Sequence, residues 1–103
     1  MVAKVIALYK PPADPAEFDE KYFNEHIPLA QKIPGLQLIE ISKTNGAPMG
    51  DAAYYLMAEL YFNDMDAVKA GMGSAEGKAA GKNLMTFAKD LVTMMYAEVT
   101  DKK

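Results

Sequence analysis

Three stretches of the chain alternate like β-strands yet carry apolar residues on both alternating faces, and this feature constrains the fold most. The first is residues 2–9 (VAKVIALY), and residues 54–62 (YYLMAELYF) and 91–99 (LVTMMYAEV) follow the same pattern. A strand that is apolar on both sides needs a packing partner on each side. The sequence therefore predicts a sheet whose two faces are both covered.

Segments with helical signals lie between these strands. Asp14 is placed as the N-cap of a helix, with Pro15 at the first helical position and Glu17 able to close a capping box. This helix is predicted to run to about residue 33 and to end at Pro34 and Gly35. Residues 36–43 are predicted to form a more polar edge strand, and residues 44–53 a loop. A second helical region, from residue 63, has a cap at Ser74 and contains four glycines, Gly71, Gly73, Gly77 and Gly81.

The predicted order is strand, helix, strand, strand, helix, strand, which is the split βαβ arrangement of ferredoxin-like α+β domains. The 103 residues are enough for a single domain, 1–103. Such a domain has a four-stranded antiparallel sheet with both helices on one face. The other face would be bare and apolar, which is typical of a partner site. We therefore expect a homodimer in which two copies pack sheet to sheet.

The single histidine, His26, lies on the apolar face of the first helix. Pro28 follows two residues later, where it removes a backbone donor, so we expect the helix to kink or tighten there. An imidazole with an ordinary pKa near 6.5 could exchange protons at neutral pH if a cavity reaches it. A core histidine that is hydrogen-bonded to the backbone fits the residues equally well.

The side chains predicted to surround His26 are mostly aromatic or aliphatic. Phe18, Tyr22 and Leu29 share its helix face, and Tyr55 lies on the amphipathic face of the third strand. Such walls suit a small apolar or aromatic ligand that is oriented by few polar groups. We therefore assign His26 as the candidate catalytic residue and Phe18, Tyr22, Leu29 and Tyr55 as candidate substrate-binding residues.

Composition and motif spacing argue against several other classes. A net charge of −3 without a basic run argues against nucleic-acid binding, and no stretch is long and apolar enough to span a membrane. The chain has no cysteine, and one histidine without suitably spaced carboxylates predicts no metal site. The glycines near residue 75 fail the spacing of a phosphate loop or dinucleotide fingerprint, so no cofactor is expected. We expect a soluble, cytoplasmic protein.

The first-helix residues resemble the signature of the EthD family. They are Phe18, Tyr22-Phe23, His26-Ile27-Pro28-Leu29-Ala30 and Ile33-Pro34-Gly35-Leu36, and residues 60–64 and 73–76 resemble the family's second half. The resemblance implies the dimeric α+β barrel fold, which also hosts cofactor-independent monooxygenases, muconolactone isomerases and polyketide cyclases. In those relatives a ligand cavity lies between the helices and the sheet. Of the candidate residues, His26 matches the family motif, and Tyr22 matches it more loosely.

Two functions follow as hypotheses. The first is a small cofactor-independent enzyme that acts on a small hydrophobic or aromatic metabolite in catabolism, with His26 as general acid or base. The resemblance implies ether or aromatic degradation and oxidoreductase, isomerase or cyclase chemistry. The alternative is a non-catalytic binding or accessory protein for a hydrophobic metabolite or a partner oxygenase.

Overall fold

Four strands and the helices between them follow the predicted order in the computed structural model, which describes residues 1–103. The elements are β1 (Ala3–Tyr9), α1 (Pro15–Lys21), a π-helical turn (Tyr22–His26), α2 (Ile27–Ala30), β2 (Leu38–Lys43), β3 (Leu56–Phe62), α3 (Met65–Gly73), α4 (Ala75–Ala88) and β4 (Val92–Glu98). The first helix is a continuous run of α1, the π-helical turn and α2. None of the helices is long and apolar enough to cross a membrane.

The strands form one antiparallel sheet in the order β2-β3-β1-β4, with β1 and β3 at the centre. Val5 of β1 lies opposite Leu60 of β3 and Tyr96 of β4, so these three side chains share a face. Every second residue of β1 and β3 is buried, because the helices cover that face. The prediction of a ferredoxin-like α+β fold with β2 at an edge is confirmed.

The helix starts form largely as predicted. The Asp14 carboxylate accepts the backbone N–H of Glu17 at 3.1 Å, and Pro15 occupies the first turn. The Glu17 carboxylate pairs with Lys21 at 3.1 Å, so the expected return bond of the capping box is replaced by an ion pair along the helix. At the other end, Gly35 has φ +81°, the left-handed conformation that favours glycine.

The break expected near Pro28 takes the form of the π-helical turn. Pro28 has no N–H to donate, and the N–H of Ile27 bonds to the carbonyl of Tyr22, five residues back. A π turn holds more residues than an α turn, so it changes the phase of every later side chain around the helix. Both ends of this turn, Tyr22 and His26, are buried against the sheet.

The face of the sheet away from the helices is more polar than the sequence pattern suggests. Its apolar side chains include Ile6, Leu8, Met57 and Met95, but a Lys4–Glu59 ion pair of 2.6 Å lies at its centre. Tyr61 also donates to Glu40 there at 2.8 Å. On the opposite face the helices leave part of β4 uncovered, since Met94 and Tyr96 are exposed. The sheet face expected to meet a second copy therefore combines apolar and charged side chains.

Two of the four predicted helix-weakening glycines allow close packing. A Cβ at Gly71 would lie 2.7 Å from the Pro34 carbonyl oxygen and 2.9 Å from the Phe62 ring. Gly77 meets the backbone at the end of α3 in the same way. Gly81, in contrast, has no atom within 4 Å of the place where a Cβ would lie.

We expect Gly71→Ala to lower the free energy of unfolding by about 1–3 kcal/mol, because the backbone of Pro34 must move to admit a methyl group. The control is Gly81→Ala, which should raise it by about 0.5–1 kcal/mol through helix propensity alone. Urea unfolding of both variants checks this. Equal stabilisation by the two substitutions would contradict the close approach at Gly71.

Candidate functional site

A small cavity lies between the helices and the covered face of the sheet, with His26 in its wall. Its volume is about 40 Å³, which holds a few water molecules and no organic ligand. The wall is largely apolar, and its polar side chains are those of Tyr9, Tyr22 and His26. The other wall residues are Ala7, Ile27, Ala30, Ile33, Ala58, Leu60, Met72, Gly77, Ala80, Gly81, Leu84 and Met94.

Met94 is the most exposed residue of the cavity wall. This side chain is 44% exposed, whereas the other wall residues are buried or half-buried. Met94 lies on edge strand β4, where the helices leave the sheet uncovered. Methionine is unbranched and flexible, so this part of the wall can rearrange at low cost.

An aromatic cluster fixes the opposite side of the cavity. The Tyr22 ring stacks on Phe18 at 5.5 Å, meets Tyr9 edge-on at 5.1 Å and lies 5.4 Å from the His26 ring. Burial raises the pKa of Tyr22 to about 12, against the opposing effect of a hydrogen bond from the Tyr9 hydroxyl. Burial also raises the pKa of Tyr9. Both phenols are therefore protonated at neutral pH, where they can donate hydrogen bonds.

His26 is 7% exposed, and burial lowers its pKa below the ordinary value of 6.5. The Ala80 carbonyl and the Asn83 side chain act in the opposite direction, since each can accept a hydrogen bond from the protonated ring. Burial is the larger effect. The ring is thus neutral at pH 7 and able to take up a proton.

Two polar side-chain atoms at this place are buried and have no hydrogen-bond partner. They are His26 Nδ1 and the Oδ1 atom of Asn83, which lies on α4. The other end of the Asn83 amide, Nδ2, donates to Glu25 Oε1 at 3.4 Å. Buried polar atoms are usually paired, so two unpaired ones beside a cavity mark a place where polar contacts can form.

The structure places two of the five predicted site residues, His26 and Tyr22, in the cavity wall. Phe18 lies behind Tyr22 and supports its ring. Leu29 lies outside the cavity, in a surface hollow between α2 and α4. The π turn explains this position. A uniform α-helical pitch predicts Leu29 near the middle of the inward face with Ala30 at its border, and the extra residue of the turn moves Ala30 to the middle and Leu29 outward.

Tyr55 also lies outside the cavity. Its hydroxyl donates to Asp19 of α1 at 2.9 Å, and Lys43 forms an ion pair with the same carboxylate. The Tyr55 ring meets Phe18 edge-on at 5.9 Å. Tyr55 thus supports the aromatic cluster from outside, and its hydroxyl is engaged at the outer edge of the sheet.

Tyr9, Met94 and Asn83, which contribute to the site, are not among the residues predicted from the sequence. Tyr9 had a usable signal, because a tyrosine inside a strand that is apolar on both faces needs a buried partner for its hydroxyl. Met94 had none, since methionine is common core filling. Asn83 also had no signal in the sequence, because its contact with His26 depends on the packing of two helices that are distant in sequence.

A larger hollow of about 550 Å³ lies away from His26, between the start of α1 and the end of α4. It is open to solvent and has charged side chains of both signs, including Lys21, Lys89 and Asp90. No three His, Cys, Asp or Glu side chains come together to hold a metal ion. The enclosed and chemically distinct place in the molecule is the cavity beside His26.

Fold and site define a ferredoxin-like α+β protein with a histidine-containing cavity between its helices and its sheet. Residues 10–90 match the EthD domain, and the chain belongs to the EthD family. It is 34% identical over 95 residues to an uncharacterised 11.0 kDa protein encoded between thcB and thcC in Rhodococcus erythropolis, with 92% of each chain covered. An EthD family protein from Bacillus halodurans C-125, known from its crystal structure, is 46% identical in sequence and superposes with a TM-score of 0.92. The match covers 97% of this chain and 100% of the Bacillus halodurans chain.

More distant structures share the fold alone. A dimeric ferredoxin-like protein of unknown function from Bacteroides fragilis is 21% identical with a TM-score of 0.63, covering 95% of this chain and 96% of its own. SnoaB, a cofactor-independent oxygenase from Streptomyces nogalater, is 15% identical with a TM-score of 0.68, and the match covers 98% of this chain and 94% of SnoaB. The fold is thus compatible with dimers and with chemistry that uses no cofactor.

The lowered pKa of His26 predicts a pH-dependent stability. As the pH falls through 6.5, the unfolded chain binds a proton at this residue before the folded chain does, so stability is lost on the acid side. Between about pH 7.5 and 5.5 the free energy of unfolding should fall with a slope of up to about 1.4 kcal/mol per pH unit. His26→Gln should remove most of this slope. Urea unfolding across the pH series measures it, and an unchanged slope in the variant would assign the effect to other groups.

Proposed function

We propose that this protein binds a small apolar or aromatic molecule in the cavity and catalyses proton transfer on it without a cofactor, with His26 as the general base. The observation that carries the proposal is the neutral, buried imidazole of His26 in an apolar wall. A base with a pKa below 7 is present in its active form at neutral pH. The fold shared with a cofactor-independent oxygenase supports the class of chemistry and not the substrate.

The cavity must enlarge to admit such a ligand. At about 40 Å³ it is far smaller than the pocket of a drug-sized molecule. The two sides of the cavity differ in how easily they can move. The Tyr9, Tyr22 and Phe18 rings pack against one another, whereas Met72, Met94 and the glycine-containing start of α4 form the other side. We infer that the ligand enters beside Met94 and displaces the methionine side.

In the proposed reaction, His26 removes a proton from an activated carbon or hydroxyl group of the ligand. The negative charge then develops on a ligand oxygen. Tyr22 lines the cavity and its phenol is protonated at neutral pH, so its hydroxyl can donate to that oxygen. Since the pKa of Tyr22 is about 12, Tyr22 stabilises the charge as a hydrogen-bond donor, and the protonated His26 returns the proton to another atom of the ligand.

We expect phenols, quinones or lactones to raise the melting temperature of the wild-type protein, because they bind the folded state. His26→Gln should abolish turnover of the compound that binds best, a loss of about 100-fold or more, while melting temperature and ligand binding are kept. Phe23→Leu, at an exposed position on the same π turn, is the control. Turnover by the His26 variant at the wild-type rate would refute the role as base.

The alternative is a binding or accessory protein, and one observation favours it: apart from His26, the cavity wall has no group that exchanges a proton near neutral pH. The same experiment separates the two. Thermal stabilisation by a ligand, with no turnover by the purified protein in air, supports the binding function.

We further propose that two copies pair through the sheet face that carries Ile6, Leu8, Met57 and Met95. The dimeric state of the Bacteroides fragilis protein with this fold supports pairing. The Lys4–Glu59 pair makes burial of this face less costly than two unpaired charges would, because each charge already has its partner. Polar groups of this kind add specificity to the pairing of two copies.

Met95→Asp should weaken the dimer at least about 10-fold, since an unpaired carboxylate would be buried at the interface. Met85→Asp is a matched control, because Met85 is 42% exposed on α4 and Met95 is 41% exposed on the sheet. Sedimentation at micromolar concentration measures both. A monomeric wild type, or equal effects of the two substitutions, would exclude the sheet-to-sheet arrangement.

A further inference from the structure

We propose that Asn83 is the positioning residue of His26: its Oδ1 accepts the hydrogen of Nδ1, fixes that tautomer and leaves Nε2 as the atom that faces the ligand. The inference deepens the proposed function and rests on it only for the last step, the use of Nε2 as the base. The two atoms concerned are the buried side-chain atoms that lack a partner.

The orientation of the Asn83 amide follows from its outer contact. Glu25 carries a carboxylate, which can only accept, and it lies 3.4 Å from Nδ2 of Asn83. The NH₂ end must therefore face Glu25, and the oxygen end turns inward to the buried side. An amide oxygen cannot donate, so a ring nitrogen that pairs with it must carry the hydrogen.

The Ala80 carbonyl on α4 is a second hydrogen-bond acceptor beside the Asn83 amide. The Ala80 carbonyl and the Asn83 amide are three residues apart on one helix face, and both favour a protonated ring nitrogen of His26. The bond to Asn83 is not aligned in the closed cavity, because both atoms remain unpaired there. A small rotation of either side chain completes it.

In this arrangement His26 is the base and Asn83 is the further group that holds it in position. A histidine that acts as a base needs one nitrogen free and the other held, and a neutral amide serves without adding charge to the cavity. The other ionisable groups near the ring are Tyr22 and Tyr9, which are protonated at neutral pH, and Glu25 on the far side of Asn83. Asn83 is thus the side chain that, next to the Ala80 carbonyl, can hold one ring nitrogen and leave the other free.

The test uses the single histidine of the chain. The ¹⁵N shifts of the His26 ring in the wild-type protein should show the Nδ1–H tautomer. Asn83→Leu should move the ring toward the Nε2–H tautomer and lower its pKa by about one pH unit, the effect of losing a hydrogen bond to the charged form. Asn83→Asp should raise the pKa instead, and Asn63→Leu, at an exposed position, should change neither quantity.

A wild-type ring with the hydrogen on Nε2, or a tautomer that Asn83→Leu leaves unchanged, would overturn the inference. The wild-type measurement decides even if the Asn83 variants fail to fold. The positioning by Asn83 can also be tested independently of the proposed function. If Asn83 sets the tautomer but His26→Gln keeps full turnover, the positioning holds and the catalytic role fails.

Discussion

The missing N–H of Pro28 is the constraint on which the site depends. A regular α-helix through this point would need a donor that proline lacks, and the chain forms a π-helical turn just before it. Both ends of that turn, Tyr22 and His26, are buried against the covered face of the sheet. The exposed Phe23 and Glu25 lie between them on the outer side. Without the turn, the helix face that holds Phe18 would also hold Leu29, and α4 would meet a bulkier surface.

Close packing of α4 is the second condition for the site. Its inward face carries Gly77, Ala80, Gly81 and Leu84, which are mostly small. Small side chains let the helix approach the π turn closely enough to bring Asn83 beside His26 and its amide within reach of Glu25. The same small side chains leave the cavity unfilled. A single feature of α4 therefore explains both the contact with His26 and the space next to it.

Most of the fold could be predicted from the sequence because its signals are local. Strand alternation, the Asp14 and Ser74 caps and the Pro34-Gly35 stop each depend on a few neighbouring residues, and all appear in the structure. The site was harder to predict. Tyr22 and His26 were identified because they begin and end the π turn, before it has changed the phase of the helix. Leu29 follows the turn and lies beside the cavity, not in its wall. Asn83 joins the site through a contact between distant segments, which no local pattern encodes. The strand pattern around Tyr9 marks a buried hydroxyl but does not identify what it meets.

Burial of His26 also limits the charge of the ligand. A proton that moves from a neutral ligand to a neutral imidazole creates two opposite charges side by side, and each offsets the desolvation of the other. An anionic ligand would instead enter a cavity whose wall contains no lysine or arginine. It would be favoured only if the ring were already protonated, which burial opposes. The cavity therefore favours a ligand that arrives neutral and carries its own removable proton, next to an oxygen on which Tyr22 can stabilise the charge that remains.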